Sequence, residues 1–424
     1  MLEAAVFPGT YEIRSSLFDR ILIFLLVFSI YFEANLPYFR TASTPFLIFG
    51  FTFAYIGLTR LNTLLRLFSS KYFVASIGFA VVCIFMETLH PFSSYDFIFR
   101  YLNMTLGIFC IAVLCRDKTA FDVSLFAFIL ASAFQSLFLI FGTEPLLRSL
   151  SAEGFYDASR ARIQAFETFF LRGNLNDISY FSSIGAVIGL IWMYFEKVKW
   201  KRYVLLFLTV PSVLGVFLPA SRTGAVVFFV SILIFVYKSK INLKSWVLPS
   251  LVLIIFLFIA VPDVVWVRLG SVLRFAELQE SDSRTKVYTA VLKTIDQYAL
   301  TGIGAGNYWH GWAVSAGITN RFTTDVAMAA HNAFFQLWIY WGLPGLLYFL
   351  GLIYLFWTAL DKEIYGNRRK SCLYIFIAMI PMIFLFYHSF YHKSFSIGLG
   401  MLLGARFWNI YEDSNESKKE EEMS

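Results

Sequence analysis

The stretch His331-Asn332-Ala333-Phe334-Phe335-Gln336-Leu337-Trp338-Ile339-Tyr340-Trp341-Gly342-Leu343-Pro344-Gly345-Leu346-Leu347-Tyr348-Phe349 decides the fold. Beyond Gln336 the chain stays apolar, broken only by Trp, Tyr, Gly and Pro, for roughly 20 residues, the length that spans a hydrocarbon core as a helix. No water reaches backbone N–H and C=O groups at that depth, so the segment must satisfy them internally. An imidazole and two carboxamides, His331, Asn332 and Gln336, are the last polar groups before the apolar run. A titratable ring placed where a helix leaves the membrane exchanges protons with water from a rigid support.

The rest of the chain has the same character. Of 424 residues, 58% are hydrophobic and 15% charged, and the mean hydropathy is +0.66; a soluble domain is nearer half apolar and a quarter charged. Phe (49), Tyr (23) and Trp (10) are heavily used, as in proteins with aromatic belts at the lipid interface. The apolar runs are continuous rather than alternating, which excludes a barrel. Glu3, Glu12 and Asp19 precede or open the first apolar run and no small-residue cleavage site follows it, so no cleavable signal peptide is expected. Cys83, Cys110, Cys115 and Cys372 lie in or beside apolar runs without CxxC spacing, which argues against disulfide and metal roles.

Apolar runs fall at about 18–38, 44–58, 72–88, 97–114, 121–141, 175–195, 203–219, 223–237, 246–262, 332–358, 371–388 and 394–409. Alternate connections are basic: Arg60, Arg66 and Lys71; Arg116 and Lys118; Lys197, Lys199, Lys201 and Arg202; Lys238, Lys240 and Lys244; Lys362, Arg368, Arg369 and Lys370. The intervening short ones hold only Arg40, Arg222 and Lys393, with Arg100 at a helix edge. The positive-inside bias puts the basic connections and both termini in the cytoplasm. It also accounts for the net charge of +7 without any nucleic-acid partner. The expected architecture is an all-α polytopic membrane protein of about 12 transmembrane helices. Spans 1–9 occupy 1–262 and include an extracytoplasmic loop at 142–174. A helical extracytoplasmic subdomain fills 263–331, spans 10–12 occupy 332–409, and 410–424 form a disordered cytoplasmic tail.

The two long extracytoplasmic connections carry Arg148, Arg160, Arg162 and Arg172, and Arg268, Arg274, Arg284 and Arg321 with His310 and His331. Cations on that face defy the positive-inside rule and point to an anionic ligand. Within the second loop, Ser283 to Leu300 reads as an amphipathic helix: Ser281, Asp282 and Ser283 offer N-caps, and Val287, Val291, Ile295 and Tyr298 form one apolar face, expected to lie along the membrane surface. Gly302-Ile303-Gly304-Ala305-Gly306-Asn307-Tyr308 follows as a turn where backbone can approach a ligand; it lacks the spacing and the preceding strand of a nucleotide loop.

His331 leads the candidates: an imidazole with an ordinary pKa near 6.5 suits proton removal at neutral pH, and the plain alternative is a headgroup-level helix cap. Arg222, in Pro219-Ala220-Ser221-Arg222-Thr223-Gly224, is either a snorkelling anchor or the arginine of a broken helix end whose N–H groups favour an anion. Asn174 and Asn176, in Arg172-Gly173-Asn174-Leu175-Asn176-Asp177, enter the sixth span as polar groups in want of a partner or substrate. Gly185-xxx-Gly189 and Gly400-xxx-Gly404 read as helix-packing surfaces. No carboxylate cluster faces the extracytoplasmic side, so arginines must do what a metal would otherwise do, and no cofactor is implied.

Taken together, Ser221-Arg222-Thr223-Gly224, the Arg284 helix running to Gly302-Ile303-Gly304-Ala305-Gly306-Asn307, and His331-Asn332 through Gln336 to Gly342-Leu343-Pro344-Gly345-Leu346 resemble the bacterial O-antigen ligase and O-antigen polymerase superfamily. The resemblance covers about 170–350 in order and spacing; the first five spans match only in hydrophobicity. It implies metal-independent, inverting glycosyl transfer from an undecaprenyl-diphosphate-linked glycan at the periplasmic face of the inner membrane. Arg222 and Arg284 would grip the diphosphate and His331 would activate the acceptor hydroxyl. Arg162, Arg172, Asn174, Asn176, Arg321, Asn332 and Gln336 are further candidates for binding substrate. Ligase and polymerase differ in acceptor, lipid A core or another lipid-linked repeat. Arg162 and Gly173 have the Arg-x10-Gly spacing associated with polymerases, which tips the reading toward a surface-polysaccharide polymerase with a flippase and a chain-length regulator as candidate partners. The short tail argues against the protein-glycosylating relatives. A transporter or flippase is the alternative of another class, but it would call for inverted repeats and charges at mid-membrane depth, and here the charges gather on one face.

Overall fold

The computed structural model describes residues 14–32, 38–39, 42–142, 175–239, 255–270, 283–320, 323–361, 364, 367–408 and 410. Its long elements are α1 (Leu17–Tyr31), α2 (Thr44–Phe68), α3 (Lys71–Thr88), α4 (Asp96–Leu114), α5 (Lys118–Gly142), α6 (Leu175–Phe195), α7 (Lys199–Phe217), α8 (Arg222–Lys238), α9 (Asp263–Gly270), α10 (Ser283–Tyr298), α11 (Ala333–Thr358), α12 (Arg368–Phe384) and α13 (Phe395–Phe407). Two small antiparallel hairpins, β1–β2 (Tyr38–Phe39 with Ala42–Ser43) and β3–β4 (Thr319–Asn320 with Thr323–Ala327), are the described strands. α2 to α7 and α11 are long and apolar enough to cross a membrane unaided. This is a multi-pass helical membrane protein. The expected count of about twelve is not reached on length alone: α1, α8, α12 and α13 have 15, 17, 17 and 13 residues. The ninth apolar run, 246–262, lies largely outside the described residues, as do most of the 142–174 loop and the tail from 411 onward.

Small residues bring the helices together. Gly185 of α6 lies against Ser132 of α5, and Gly189 against Thr209 of α7; Gly400 and Gly404 of α13 lie against Ile111 and Cys115 beside α4. Both small-xxx-small stripes are packing surfaces, as read from the sequence. All four cysteines are buried and unpaired.

The charges at one end of the bundle are neutralised in place. Asp19, fully buried, accepts from Arg60 (2.6 Å) and Arg116 (2.7 Å). Asp122 accepts from Arg368 (2.6 Å) and from Arg369 (2.8 and 2.9 Å). A buried carboxylate such as Asp19 needs these partners, since an unpaired charge out of water is costly. Arg60 also corrects a sequence boundary. The second apolar run ends near 58, yet α2 continues to Phe68, broken at Arg60 (φ −146°, ψ 30°), where the guanidinium turns in to Asp19.

α11 is the element that positions the opposite end, and it is two helices joined at a break. Trp341 (φ −126°) and Gly342 (φ +63°) leave helical geometry, and Pro344 has no N–H to give Tyr340. The released carbonyls are taken by the preceding turn: Ile303 N–H donates to Ile339 O (2.8 Å) and Gly304 N–H to Tyr340 O (2.9 Å), while Leu343 N–H turns to Ala299 O (2.8 Å). A Cβ at Gly302 would stand 2.6 Å from both Gly342 N and Tyr340 O. The glycine-rich turn is therefore packed against the backbone of α11 at Gly302 to Gly304.

α10 is packed rather than laid on a surface. Val287, Val291 and Ile295 are buried, Tyr288 stacks edge-to-face on Phe335, and Trp338 donates to Ala299 O (3.0 Å). Tyr298, expected on the same apolar face, is instead exposed.

Candidate active site

The protein's five histidines all belong to connections at the end of the bundle where α3, α7 and α12 finish and α4, α6, α8, α11 and α13 begin. Two have settled duties. His90 meets Thr301 O (3.3 Å), and His310, the other histidine of the second long connection, stacks face-to-face on Phe92 at 3.9 Å. His392 sits with Nε2 3.7 Å from Asp177 and accepts at Nδ1 from Ser394 N–H (3.3 Å). Both its nitrogens are thereby directed at neighbours within the bundle. His331 and His388 remain.

His331 stands immediately before α11 with φ +52°. For a side chain with a Cβ that conformation costs about 1–2 kcal/mol, and it persists where surroundings over-determine it, often at functional sites. The neighbours that fix it are its own candidates. Asn332 is the N-cap of α11: its Oδ1 accepts from Phe334 N–H (2.9 Å) and Phe335 N–H (3.1 Å), and its Nδ2 donates to Leu385 O (3.1 Å). Gln336 Oε1 accepts from Ala330 N–H (2.7 Å). Its buried Nε2 has no partner among the described residues. Asn332 is thus a structural cap, and Gln336 ties the residue before His331 to α11 while facing the Tyr308 hydroxyl.

Glu87 sets the register of this region, a role not evident in the sequence. This buried carboxylate, in the last turn of α3, accepts four N–H bonds: from Ala305 (2.9 Å), Gly306 (2.8 Å), Ser94 (2.9 Å) and Trp341 Nε1 (2.8 Å). Four donors compensate a buried carboxylate that has no salt-bridge partner among the described residues. The anchored turn continues to Tyr308, whose hydroxyl donates to Met328 O (2.5 Å), three residues before His331. Burial raises the Tyr308 hydroxyl pKa and keeps it a donor.

The 385–394 connection closes the site from the other side. The His388 ring stands 5.7 Å from the His331 ring at 86°, an edge-to-face pair. Burial pushes the His388 pKa down to about 4, so its ring stays neutral near pH 7. Its buried Nδ1 has no partner among the described residues. Tyr387, next to it, donates to Asp177 Oδ2 (2.8 Å) in the first turn of α6, with Asn176 half-buried beside it.

α6 leads on to Arg222. Ser179 lies against Gly224, two residues into α8, and Ser183 Oγ donates to Gly224 O (2.8 Å). Ser221 caps α8 through Gly224 N–H (3.4 Å). Ala220, with φ +52°, turns its carbonyl to Arg268 Nε (2.9 Å). Arg222 is thus the first residue of a capped helix, and a second guanidinium from α9 is fastened next to it. Such an end offers oriented N–H groups and positive charge to an anion. Arg284 begins in the first turn of α10, with its side chain outside the described residues; Arg162, Arg172, Asn174 and Arg321 lie wholly outside them.

Next to the 385–394 connection a small apolar cavity of about 50 Å³ is lined by Tyr101, Phe349, Ile377, Phe384, Phe390 and Leu399, among others.

Residues 207–350 match the O-antigen ligase family model. The resemblance to the O-antigen ligase/polymerase superfamily is borne out. The matched segment contains Arg222, Arg268, Arg284, the 302–307 turn and His331; it excludes Glu87, Asp177 and His388. No curated protein matches the chain.

Of the residues sequence reasoning passed over, Arg268 had been seen only as one loop arginine among several. His388 and His392 left a signal that went unread: two imidazoles beside Lys393 at the end of an otherwise apolar run. Glu87 left almost none, since a single carboxylate before a Thr-Leu-His turn looks like any helix end.

Proposed function

We propose that the protein is a membrane glycosyltransferase that moves a glycan from a polyprenyl-diphosphate carrier to an acceptor hydroxyl at the histidine end of the bundle. The observation that carries this is His331, held at φ +52° at the same end as the capped helix start of Arg222 and Arg268. A base and an anion site placed on one face are what this transfer needs.

In the proposed reaction the acceptor oxygen attacks the anomeric carbon as the bond to the diphosphate oxygen breaks on the opposite face, so the configuration inverts. The hydroxyl proton passes to His331, and the electron pair of the broken bond leaves on the lipid diphosphate. Arg222 and Arg284, with Arg268 beside the first, neutralise that leaving group; guanidinium forks bind phosphate oxygens bidentately. The energy comes from the donor, so the reading requires neither nucleotide nor metal. Positive-inside bias favours cytoplasmic termini and a periplasmic site in a bacterial inner membrane.

Between the two acceptors we favour another lipid-linked repeat, making the enzyme a polymerase of surface polysaccharide that acts with a flippase and a chain-length regulator. The Arg162–Gly173 spacing supports this over attachment to lipid A core. The test is reconstitution of the purified chain in liposomes with the lipid-linked glycan extracted from source cells lacking the gene. Lengthened lipid-linked chains, formed equally in EDTA, are expected. Transfer only onto added lipid A core would make it a ligase, and no transfer to either acceptor would overturn the reading.

A further inference from the structure

The His331 base of the proposed reaction is flanked by a second imidazole outside the matched family segment, and that neighbour needs an explanation. His388 Nδ1 is buried without a partner among the described residues. Leaving a buried polar atom unpaired is costly, and a phenylalanine of similar shape would avoid that cost. The ring meets His331 edge-to-face. The backbone carrying it is fastened twice, by Asn332 Nδ2 on Leu385 O and by Tyr387 on Asp177. The first fastening ties the residue after His331 directly to the start of the His388 connection.

We propose that His388 is a positioning residue for His331: its ring forms the wall that fixes the orientation of the His331 imidazole for proton transfer. This rests on the reading of His331 as the base. The wall must not gain charge as His331 takes up the acceptor's proton, because two facing imidazoliums would repel each other at short range. A buried neutral ring meets that requirement. The other charged groups around it leave it so: His392 and Asp177 face each other across the same connection, and Arg100 lies over the Tyr391 ring at 5.8 Å. Fixing one rotamer matters because a misplacement of about 1 Å can cost on the order of 10²-fold in rate.

The experiment compares His388→Gln with His388→Phe, using the lipid-linked glycan extracted from source cells lacking the gene. Gln keeps polarity but removes the wall; Phe keeps the wall and removes the nitrogens. His388→Gln should lower kcat by about 10²-fold with KM for the donor unchanged. His388→Phe should recover most of the rate and unfold at a temperature no lower than the parent. A His388→Gln enzyme at the parental rate overturns the proposal. So does equal loss in both variants, which would mean that a nitrogen rather than the ring's shape is needed. His331→Ala is run alongside: if it transfers normally, the base reading has failed; if it is inactive while His388→Gln is normal, only the positioning role has failed.

Discussion

The carbonyl of Tyr340, deprived of its helical donor because Pro344 has no N–H, accepts instead from Gly304 N–H at 2.9 Å. With Ile303 on Ile339, this welds the glycine turn into the break of α11. It explains why two glycine motifs far apart in sequence occur in one chain: each supplies the backbone that the other needs close by.

Gly302→Ala and Gly342→Ala should both be severely destabilised. Gly302 has φ +66° and Gly342 φ +63°, which adds about 1–2 kcal/mol per substitution before any clash, and the Cβ at Gly302 would press on backbone atoms that cannot yield. Gly351→Ala, with nothing within 4 Å, should unfold at the parental temperature. Thermal unfolding in detergent distinguishes them.

His331→Ala should reduce transfer by roughly 10²–10⁴-fold, the range typical of a lost general base. His331→Gly should be as inactive yet more stable than the alanine variant, because only glycine adopts φ +52° without cost. If the glycine variant melted below the alanine one, the strain argument would be wrong.

Arg222→Lys should raise KM for the donor more than it lowers kcat, since one ammonium cannot copy a fork on two phosphate oxygens. Arg268→Gln should show a milder defect of the same kind, from the loosened Ala220 carbonyl. A pure kcat effect in Arg222→Lys would remove the arginine from donor binding.

Glu87→Gln should weaken the site without touching substrate. One of the carboxylate's two accepting oxygens becomes an NH₂ facing N–H donors. Amide exchange at Ala305 and Gly306 should accelerate, which hydrogen–deuterium exchange with mass spectrometry would detect.

His388 gives a pH dependence with a definite sign. Its folded pKa, near 4, lies below the ordinary 6.5, so the unfolded chain takes up a proton first. The stability that comes from its burial is complete above pH 6.5 and is lost as pH falls toward 4. The unfolding temperature of the parent should therefore drop more steeply over that window than that of His388→Phe, and parallel curves would contradict the assignment.

Much of the architecture was legible because lipid imposes one rule on every span: continuous apolar helix, with lysine and arginine marking one side. What packing decides was not legible. α2 runs past Arg60 because Asp19 receives the guanidinium, and no local pattern announces that partner. Tyr298 shares a helical face with Ile295 but is exposed, even though Ala299 beside it bonds α11 through its carbonyl. At the site, His331 and Arg222 stood out as polar groups beside long apolar runs. Asn332 stood out for the same reason and proved to be a cap. Glu87 and His388 matter through residues far away in the chain, so their importance appears only once the helices are assembled.

Glu87 also dictates an order of events during synthesis. Its four donors are not all available until Trp341 has been made, 254 residues later, which at about 5–20 residues per second is roughly 13–50 s of translation. Throughout that interval the carboxylate at the end of α3 lacks at least one of its native partners. The early helices can insert meanwhile, but this corner of the bundle cannot lock until α11 arrives. A ribosome stalled between α10 and α11 should therefore hold a chain whose inserted helices remain open to protease around residues 87–95.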